Sequence, residues 1–365
     1  MILINDLKAH STALRTKIDS ALDRVVSRGW FVLGPEVAAF EAQFAGYLGI
    51  SKVVSLANGT DAIELALRAV GVNSGDLVAT VANAGMYTTT ALIAIGAKPF
   101  FMDVDLRSRI TTFDECKRAI NAGVKAVVVT HLYGRAAPQI KAIAELCRNH
   151  KVPLIEDCAQ AHGAKIEGKI VGTFGDISCF SFYPTKNLGA LGDGGAIATN
   201  NSQLAETVLR LRQYGWSSKY QVSLMNSSNS RLDEMQAALL IEFLPLLDSW
   251  NMRRREIAKR YSLLITHPAI QLPAFSDDEY VAHLYVIETS NPESLRLHLK
   301  ENQIASEVHY PIPDYRQPVF GKQFADIQLQ NTEQLAGTIL TLPCYPELTD
   351  EEVGEVAEAV NSWTA

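Results

Sequence analysis

Short apolar runs alternate with helix-like segments between about residues 50 and 200. The runs are KVVSL, LVATVA, KPFFMDVD, AVVVTHLYG, VPLIEDCAQ, ISCFSFY and GAIATN, and most of them contain β-branched or aromatic residues. Segments with apolar positions at helical spacing, such as TDAIELALRAVGV and PQIKAIAELCRNH, lie between several of them. This alternation is typical of a largely parallel sheet with helices on both faces. The pattern therefore predicts an α/β fold.

The pattern changes beyond residue 195. A long helical stretch, RLDEMQAALLIEFLPLLDSWNMRRREIAKRYSLLI, is interrupted by Pro245, and a strand-like AHLYVIET and a helix-like SLRLHLKEN follow it. We therefore expect a large domain over residues 1–248, which includes the N-terminal segment, and a smaller α+β domain over residues 249–365.

Composition excludes several classes of function. The chain has 365 residues, of which 47% are apolar, and a net charge of -7 that offers no basic surplus for nucleic acid or an anionic membrane. Its five cysteines are odd in number and show no short paired spacing, so we expect neither disulfides nor a metal site. We find no signal peptide and no long apolar stretch, which predicts a cytoplasmic protein.

Candidate chemistry lies where predicted strands give way to loops, because ligands of parallel sheets bind beyond the carboxyl ends of the strands. In KVVSLANGTDAIELAL, Gly59 allows close approach of the backbone and Thr60 adds a hydroxyl to the free N–H groups of a helix start. These groups form a natural seat for a phosphate. An ordinary helix N-cap is the alternative interpretation.

A second strand end, in VPLIEDCAQAHG, carries Glu156 and Asp157. A carboxylate at the end of a buried strand is unfavourable unless a cation meets it, and a protonated ring nitrogen would be one such cation. A capping role for Asp157 remains open. Gln160 and His162 could reach the same cavity, although His162 alone is more typical of a hydrogen-bonded structural residue.

The third strand end is SFYPTKNLGALGDGG, where Ser181 lies on a strand and Lys186 just past it. A partly desolvated lysine there would have a pKa below its usual value of about 10.4 and could attack a carbonyl, although a solvated surface charge is the alternative. The lysine precedes the glycines, which is the wrong order for an ATP-binding Walker loop. We expect the glycines to fold closely against a bound molecule: Gly189, Gly192, Gly194 and Gly195.

A phosphate seat, a buried aspartate and a lysine amine together suit pyridoxal phosphate. Thr60 and Ser181 would meet its phosphate, Asp157 would keep its pyridine nitrogen protonated, and Lys186 would form a Schiff base with its aldehyde. Tyr87 in ANAGMYTTTAL is our candidate for an aromatic side chain on the ring, and a packing role is the alternative.

The chain resembles the sugar aminotransferases of the DegT/DnrJ/EryC1/StrS group, which have the fold of aspartate aminotransferase, fold type I of the enzymes that use pyridoxal phosphate. Segments matching in order include NGTDAIELAL, GAKPFFMDVD, EDCAQAHGA, GTFGDISCFSFYPTKNLGALGDGGAI, NSRLDEMQAALL and LPCYPELTDEEV. The resemblance implies a mainly parallel seven-stranded sheet and a homodimer with shared active sites.

The resemblance also implies roles for individual residues. Lys186 would be the Schiff-base lysine, Asp157 would pair with the pyridine nitrogen, and Gln160 would lie near the phenolic oxygen of the ring. Tyr87 would stack on the ring. The phosphate would be held by Gly59, Thr60, Asp61 and Ser181, joined by Asn229 of the second subunit.

One departure concerns the sugar. The family commonly has histidine where this chain has Asp314, in HYPIPDY, and we expect this position to face the sugar. Further candidate substrate contacts are Tyr183, His309, Tyr310 and Arg231, the last of which could equally be a surface charge.

The resemblance implies transfer of an amino group from L-glutamate, leaving 2-oxoglutarate, to a nucleotide-linked keto sugar. The variant segments favour a dTDP-linked 3-keto-6-deoxyhexose, with a 4-keto sugar as the alternative. Such amino sugars enter bacterial surface polysaccharide, such as lipopolysaccharide O-antigen, or glycosylated natural products. A sugar dehydratase is disfavoured because those relatives have histidine in place of Lys186. A non-catalytic regulatory protein that binds the cofactor is the other alternative.

Overall fold

A computed structural model describes residues 1–274 and 276–364 of the chain. The strands in these residues are β1 (Lys52–Leu56), β2 (Leu77–Val81), β3 (Lys98–Met102), β4 (Ala126–Thr130), β5 (Leu154–Asp157), β6 (Lys165–Ile166), β7 (Lys169–Ile170), β8 (Ile177–Ser181), β9 (Gly195–Thr199), β10 (Trp216–Ser218), β11 (Gln221–Val222), β12 (Tyr285–Glu288) and β13 (Ile339–Leu342).

The central sheet contains seven of these strands in the spatial order β1-β9-β8-β5-β4-β2-β3. β9 is antiparallel to both of its neighbours, β1 and β8, and the other neighbouring strands pair in parallel. The seven strands coincide with the seven apolar runs of the sequence. The prediction of a mainly parallel α/β sheet is confirmed. Three two-stranded pairs, β6-β7, β10-β11 and β12-β13, lie outside this sheet.

Helices cover both faces of the sheet and form much of the C-terminal part. They are α1 (Leu7–Ala13), α2 (Arg15–Arg28), α3 (Pro35–Leu48), α4 (Gly59–Ala69), α5 (Tyr87–Ala94), α6 (Phe113–Asn121), α7 (Ile140–His150), α8 (Ser202–Leu211), α9 (Glu234–Phe243), α10 (Leu247–Leu264), α11 (Pro292–Glu301), α12 (Gln330–Thr338) and α13 (Asp350–Ser362). Pro245 lies in a short 3-10 turn between α9 and α10, where the sequence predicted a break. None of the helices in the described residues has both the length and the hydrophobicity to span a bilayer.

Side chains of the central strands alternate between two core clusters. In β4, Val127 and Val129 pack in the cluster that includes α2, α3 and α9. Ala126 and Val128 pack in the cluster that includes α4, α5 and α8. Strands covered on both faces are apolar at successive positions, which explains the continuous apolar runs in the sequence.

A third core cluster lies in the C-terminal part of the chain. It joins α10, β12, α11, β13 and α13, and Ile2 from the N-terminus packs in it. A parallel bridge between Ile2 and Ile304 fixes this contact. The predicted division at residues 248 and 249 falls inside α10, and the sequence assigned residue 2 to the other domain. The division itself remains a prediction.

A buried ion pair connects the central sheet with the C-terminal part. Arg109, in the segment that follows β3, donates to Oε1 of Glu288 on β12 over 2.7 Å. It also donates to the carbonyl oxygen of Val286 over 2.7 Å. Because both side chains are buried, each charge depends on the other for neutralisation.

We expect Arg109→Met to lower the free energy of unfolding by about 3–5 kcal/mol, because it leaves the Glu288 carboxylate buried without its partner. Equilibrium denaturation in urea would measure the loss. The matched control is Arg15→Met, which breaks an exposed pair with Asp19 and should have no measurable effect. Equal losses in the two variants would contradict the assignment.

Candidate active site

A cavity of about 930 Å³ opens at the carboxyl ends of β4, β5 and β8. The helix start of α4 and segments of the C-terminal part complete its wall. Eleven of the fourteen residues predicted for the site line it: Gly59, Thr60, Asp61, Tyr87, Asp157, Gln160, Ser181, Tyr183, Lys186, His309 and Tyr310.

The last two residues of β5 are acidic, and their side chains lie on opposite faces of the sheet. Alternation along the strand places Glu156 on the same face as Leu154, in the α3 and α9 cluster, and Asp157 on the same face as Ile155, in the α4 cluster. The same alternation in β8 brings Ser181 to the α4 face. Asp157 and Ser181 therefore share one cavity with the start of α4.

Glu156 is fully buried, and both of its carboxylate oxygens accept hydrogen bonds from groups of the protein. Burial alone would raise its pKa, but His131 and backbone N–H groups outweigh burial and lower the pKa. Its oxygens accept from Nε2 of His131 over 3.0 Å and from three N–H groups over 2.7–2.8 Å, those of Gly172, Phe174 and Gly175.

His131, Glu156 and Cys158 have the composition of a metal site, and their ligand atoms lie within 4.8 Å of one another. The ligand atoms of His131 and Glu156 are already committed to hydrogen bonds, however. Nδ1 of His131 accepts the N–H of Ala137, so Nε2 carries the proton donated to Glu156. The cluster is therefore structural. All five cysteines are free and buried.

Asp157 presents its carboxylate to the cavity. Oδ1 accepts the N–H of Ala159 over 3.1 Å and Oδ2 accepts the hydroxyl of Thr130 over 3.3 Å. Burial raises the pKa of Asp157, and the N–H of Ala159 and the charge of Lys186 oppose the rise. A cationic ring nitrogen would favour the ionised carboxylate further.

Lys186 lies past the end of β8 and is partly buried. Its backbone N–H donates to the carbonyl oxygen of Tyr183 over 2.8 Å, which holds the turn. Burial lowers the pKa of the amine to about 8, and the charge of Asp157 opposes this fall. Roughly a tenth of the amine is therefore neutral at pH 7, far more than for a lysine of ordinary pKa, and the neutral form is the nucleophile.

The start of α4 has free donors for a phosphate. Asn58 accepts the N–H of Asp61 with its side chain and that of Ala62 with its carbonyl. The N–H groups of Gly59 and Thr60 have no hydrogen-bond partner among the described residues. A side chain at Gly59 would lie 2.7 Å from Cβ of Ser181, so glycine is required there.

The glycines after Lys186 allow the backbone to pack closely on neighbouring backbone. A Cβ on Gly195 would lie 2.3 Å from the carbonyl oxygen of Asn58, and one on Gly189 would lie 2.5 Å from that of Pro184. Neither glycine lines the cavity. Gly192 and Gly194 do not line it either, and the expectation that the four glycines fold against a bound molecule remains a prediction. They allow the turn to pack on neighbouring backbone.

Gln160 spans the cavity between two loops. Its oxygen accepts the N–H of Tyr133 over 2.7 Å, and its Nε2 donates to the hydroxyl of Tyr310 over 3.0 Å. The second Nε2 proton is available for a ligand oxygen. Tyr87, half-exposed at the start of α5, meets Tyr310 edge-to-face with ring centroids 5.9 Å apart.

Asp314 does not line the cavity. It is buried, and it accepts the N–H of Met86 over 2.9 Å and the hydroxyl of Thr89 over 2.5 Å. Burial raises its pKa to about 6, against the effect of these two donors. This corrects the expectation that Asp314 faces the sugar. It holds the start of α5 through Met86, which precedes the helix, and Thr89, which lies in the first turn that begins at Tyr87.

Asn229 and Arg231 also lie outside the cavity of their own chain. Asn229 is exposed and pairs by a backbone bridge with Gln213. The guanidinium of Arg231 lies 5.8 Å from the ring centroid of Tyr214. The predicted role of Asn229 in a partner's site remains a prediction.

Sequence reasoning missed several lining residues. Thr130 could have been found, because it ends the strand next to β5. His283 is a lone histidine in an apolar strand-like run, and Glu307 is one of many charged residues, so neither gave a signal. Ile4 and Asn5 come from the N-terminus, which no local pattern linked to the site.

The residues present fit pyridoxal phosphate. The two free N–H groups of α4 suit a phosphate, the Asp157 carboxylate suits a protonated ring nitrogen, and Lys186 offers an amine of lowered pKa in the same cavity. Fold and site together define a transferase of the kind that uses this cofactor.

The chain belongs to the DegT/DnrJ/EryC1/StrS aminotransferase family, whose sequence profile matches residues 12–361. It is 40% identical over 364 residues to dTDP-3-amino-3,6-dideoxy-alpha-D-galactopyranose transaminase of Aneurinibacillus thermoaerophilus, covering 100% of this chain and 99% of that protein. The sequence prediction of the family is confirmed.

Two solved structures are similar over most of their length. DesV of S. venezuelae, solved in complex with a ketimine intermediate, has a TM-score of 0.94 and 38% identity, covering 100% of this chain and 98% of that one. NtdA of Bacillus subtilis, solved with bound cofactor PMP, has a TM-score of 0.89 and 32% identity, covering 94% and 80%. The predicted fold, the aminotransferase activity and the use of pyridoxal phosphate are confirmed.

We expect Lys186 of the cofactor-free protein to react with an amine-directed reagent with a midpoint near pH 8, because burial lowers the pKa of its amine. The protonated amine is unreactive, so the rate should rise through pH 8 and level off above it. Peptide mass spectrometry would measure the rate, with the exposed Lys52 as internal reference.

In the Asp157→Asn variant the midpoint should fall further, since the charge of Asp157 raises the pKa of Lys186. A wild-type rate that is still rising above pH 10 would show that the amine is not desolvated.

Proposed function

We propose that the enzyme transfers an amino group from L-glutamate to carbon 3 of a dTDP-linked 3-keto-6-deoxyhexose, giving an amino sugar and 2-oxoglutarate. The observation that carries the proposal is the single cavity that holds Lys186, Asp157 and the start of α4. Identity of 40% over the whole chain to a transaminase named for a dTDP-3-amino-3,6-dideoxy sugar supports this substrate class.

Bound pyridoxal phosphate supplies an electron sink that stabilises negative charge at the carbon losing a proton. Asp157 keeps the ring nitrogen protonated, because its buried carboxylate favours a neighbouring cation. Gly59, Thr60 and Ser181 hold the phosphate, and the side chain of Gln160 offers its free N–H to the ring. These contacts fix the ring relative to Lys186.

Lys186 first holds the cofactor and then, released by the amino donor, moves the proton. Its free amine would take the proton from the α-carbon of glutamate, where the bound cofactor would stabilise the negative charge left behind. In the second half-reaction the protonated Lys186 would give a proton to carbon 3 of the sugar. The product is then the 3-amino sugar. A pKa near 8 suits both tasks, because the amine can accept and release a proton near neutral pH.

The sugar side of the cavity is polar and aromatic. Tyr183 is exposed to the cavity, and His309 is oriented by a 2.9 Å hydrogen bond between its Nδ1 and Oγ1 of Thr341. Burial lowers the pKa of His309. A neutral imidazole and the hydroxyls of Tyr183 and Tyr310 can bond the sugar hydroxyls.

The substrate assignment is tested by incubating the purified enzyme with glutamate and a panel of nucleotide-linked 3-keto and 4-keto sugars. We expect 2-oxoglutarate release to continue beyond one equivalent per active site only with a 3-keto sugar, and NMR should place the new C–N bond at carbon 3. The control is Lys186→Ala, in which release should be abolished.

Nitrogen at carbon 4 would support the alternative keto sugar. Failure of the wild-type enzyme to release even the first equivalent of 2-oxoglutarate from glutamate, although it binds the cofactor, would support a non-catalytic regulatory protein.

We also propose a homodimer whose active sites are shared. Lys186 is the one Lys or Arg among the described cavity residues, where it faces four carboxylates, so a diphosphate needs cations from elsewhere. Large apolar side chains are exposed outside the cavity and suit a partner surface. They include Trp30, Phe31, Tyr220, Val222 and Met225.

Subunit mixing tests the shared site. Lys186→Ala and Asn229→Asp should each be inactive alone, because one removes the amine and the other sets a negative charge against the phosphate. If Asn229 serves the partner's cavity, exchange of subunits should create mixed dimers with one intact site. Activity should then reappear on mixing, as a steady-state assay would show.

No recovery on mixing would indicate that Asn229 serves its own chain. A protein that stays monomeric in sedimentation at assay concentration would contradict the dimer directly.

We further propose that the enzyme acts in the cytoplasm, to which five free, buried thiols are suited. Its amino sugar would enter a bacterial surface polysaccharide such as lipopolysaccharide O-antigen.

A further inference from the structure

A chain of buried amides lies beneath the cavity and begins at the residue after Lys186. Nδ2 of Asn187 donates to Oδ1 of Asn251 over 2.7 Å and to the carbonyl oxygen of Val281 over 3.0 Å. Nδ2 of Asn251 donates in turn to the carbonyl oxygen of His162 over 2.8 Å. The chain thus joins the Lys186 turn, the loop after β5 and the segment before β12.

The two carbonyl oxygens fix the orientation of both amides. A carbonyl oxygen only accepts, so Asn251 and Asn187 must each point Nδ2 toward the carbonyl they contact. Oδ1 of Asn187 is then the atom that faces Nδ1 of His283, over 3.0 Å. Because Oδ1 only accepts, Nδ1 of His283 carries a proton.

His283 lines the cavity although it is almost completely buried. Burial, and then the charges of Lys186 and Arg254, lower its pKa well below the usual value for histidine. The ring is therefore neutral at neutral pH, with its single proton on Nδ1. Its Nε2 is left as a hydrogen-bond acceptor, with no partner among the described residues.

We propose that His283 is a positioning residue for Lys186: held by Asn187 in the Nδ1–H form, it presents Nε2 as an acceptor to the lysine amine. A bond from the amine to Nε2 would hold the freed amine in place between its two proton transfers. An acceptor also favours the ammonium form and so limits the effect of burial. This role goes beyond the aminotransferase assignment and does not depend on which sugar is used.

Two substitutions separate the two hydrogen bonds of His283. His283→Asn places an amide N–H near the position of Nδ1 and keeps the bond to Asn187, but it leaves no acceptor near the amine. His283→Gln extends an amide oxygen to the position of Nε2, but it loses the bond to Asn187. Other titratable groups around the pair are Asp157, His162, Arg254 and His309.

The measurement is the pH midpoint of Lys186 labelling in full-length, cofactor-free protein. We expect the midpoint to fall in His283→Asn, so that the neutral fraction at pH 7 rises about threefold or more, while the thermal midpoint stays near wild type. In His283→Gln we expect the labelling midpoint of wild type and a lower thermal midpoint. A change in access alone would alter the plateau rate and not the midpoint.

The matched control is His150→Asn, an exposed histidine at the end of α7, which should leave both midpoints unchanged. An unchanged labelling midpoint in His283→Asn overturns the proposal. Equal shifts of that midpoint in both His283 variants also overturn it, because they indicate a structural role alone. Since no sugar or amino donor enters the assay, its outcome is independent of the proposed substrate.

Discussion

The carboxylate of Glu156, fully buried at the end of β5, organises the floor of the active site through its hydrogen bonds. It draws together the imidazole of His131 from the loop after β4 and the N–H groups of the segment before β8. Since a strand alternates its side chains, fixing Glu156 on one face fixes Asp157 on the other. Asp157, the proposed partner of the cofactor's ring nitrogen, is thus oriented by a residue that does not line the cavity.

The two side chains proposed for catalysis, Asp157 and Lys186, are both disfavoured in their charged forms by burial. Burial raises the pKa of Asp157 and lowers that of Lys186, so each charged form is disfavoured in the folded protein. A ligand that brings a cation to Asp157 and forms a bond with Lys186 relieves both effects. A ligand that binds only the folded protein stabilises it against unfolding. Part of its binding free energy comes from removing the unfavourable effect of burial on these two charges.

Sequence patterns were sufficient where the signal is local. The seven apolar runs predicted the sheet, and the ends of the runs predicted Gly59, Asp157 and Lys186 because parallel strands gather their carboxyl ends. Long-range packing was beyond such patterns. The sequence alone could not show that Asp314 holds the start of α5, because a carboxylate more than 200 residues from the helix it contacts leaves no local spacing to read. His283 was missed for the same reason.

The first residues of the chain contact both the C-terminal core cluster and the cavity. Ile2 is paired with Ile304 and packed in the C-terminal cluster, while Ile4 and Asn5 line the cavity itself. An affinity tag or a leftover protease-site peptide joined ahead of Met1 would therefore begin three residues before the cavity wall. Kinetic constants measured on N-terminally tagged protein would then include an effect of the tag. A tag at the C-terminus is therefore preferable for such measurements.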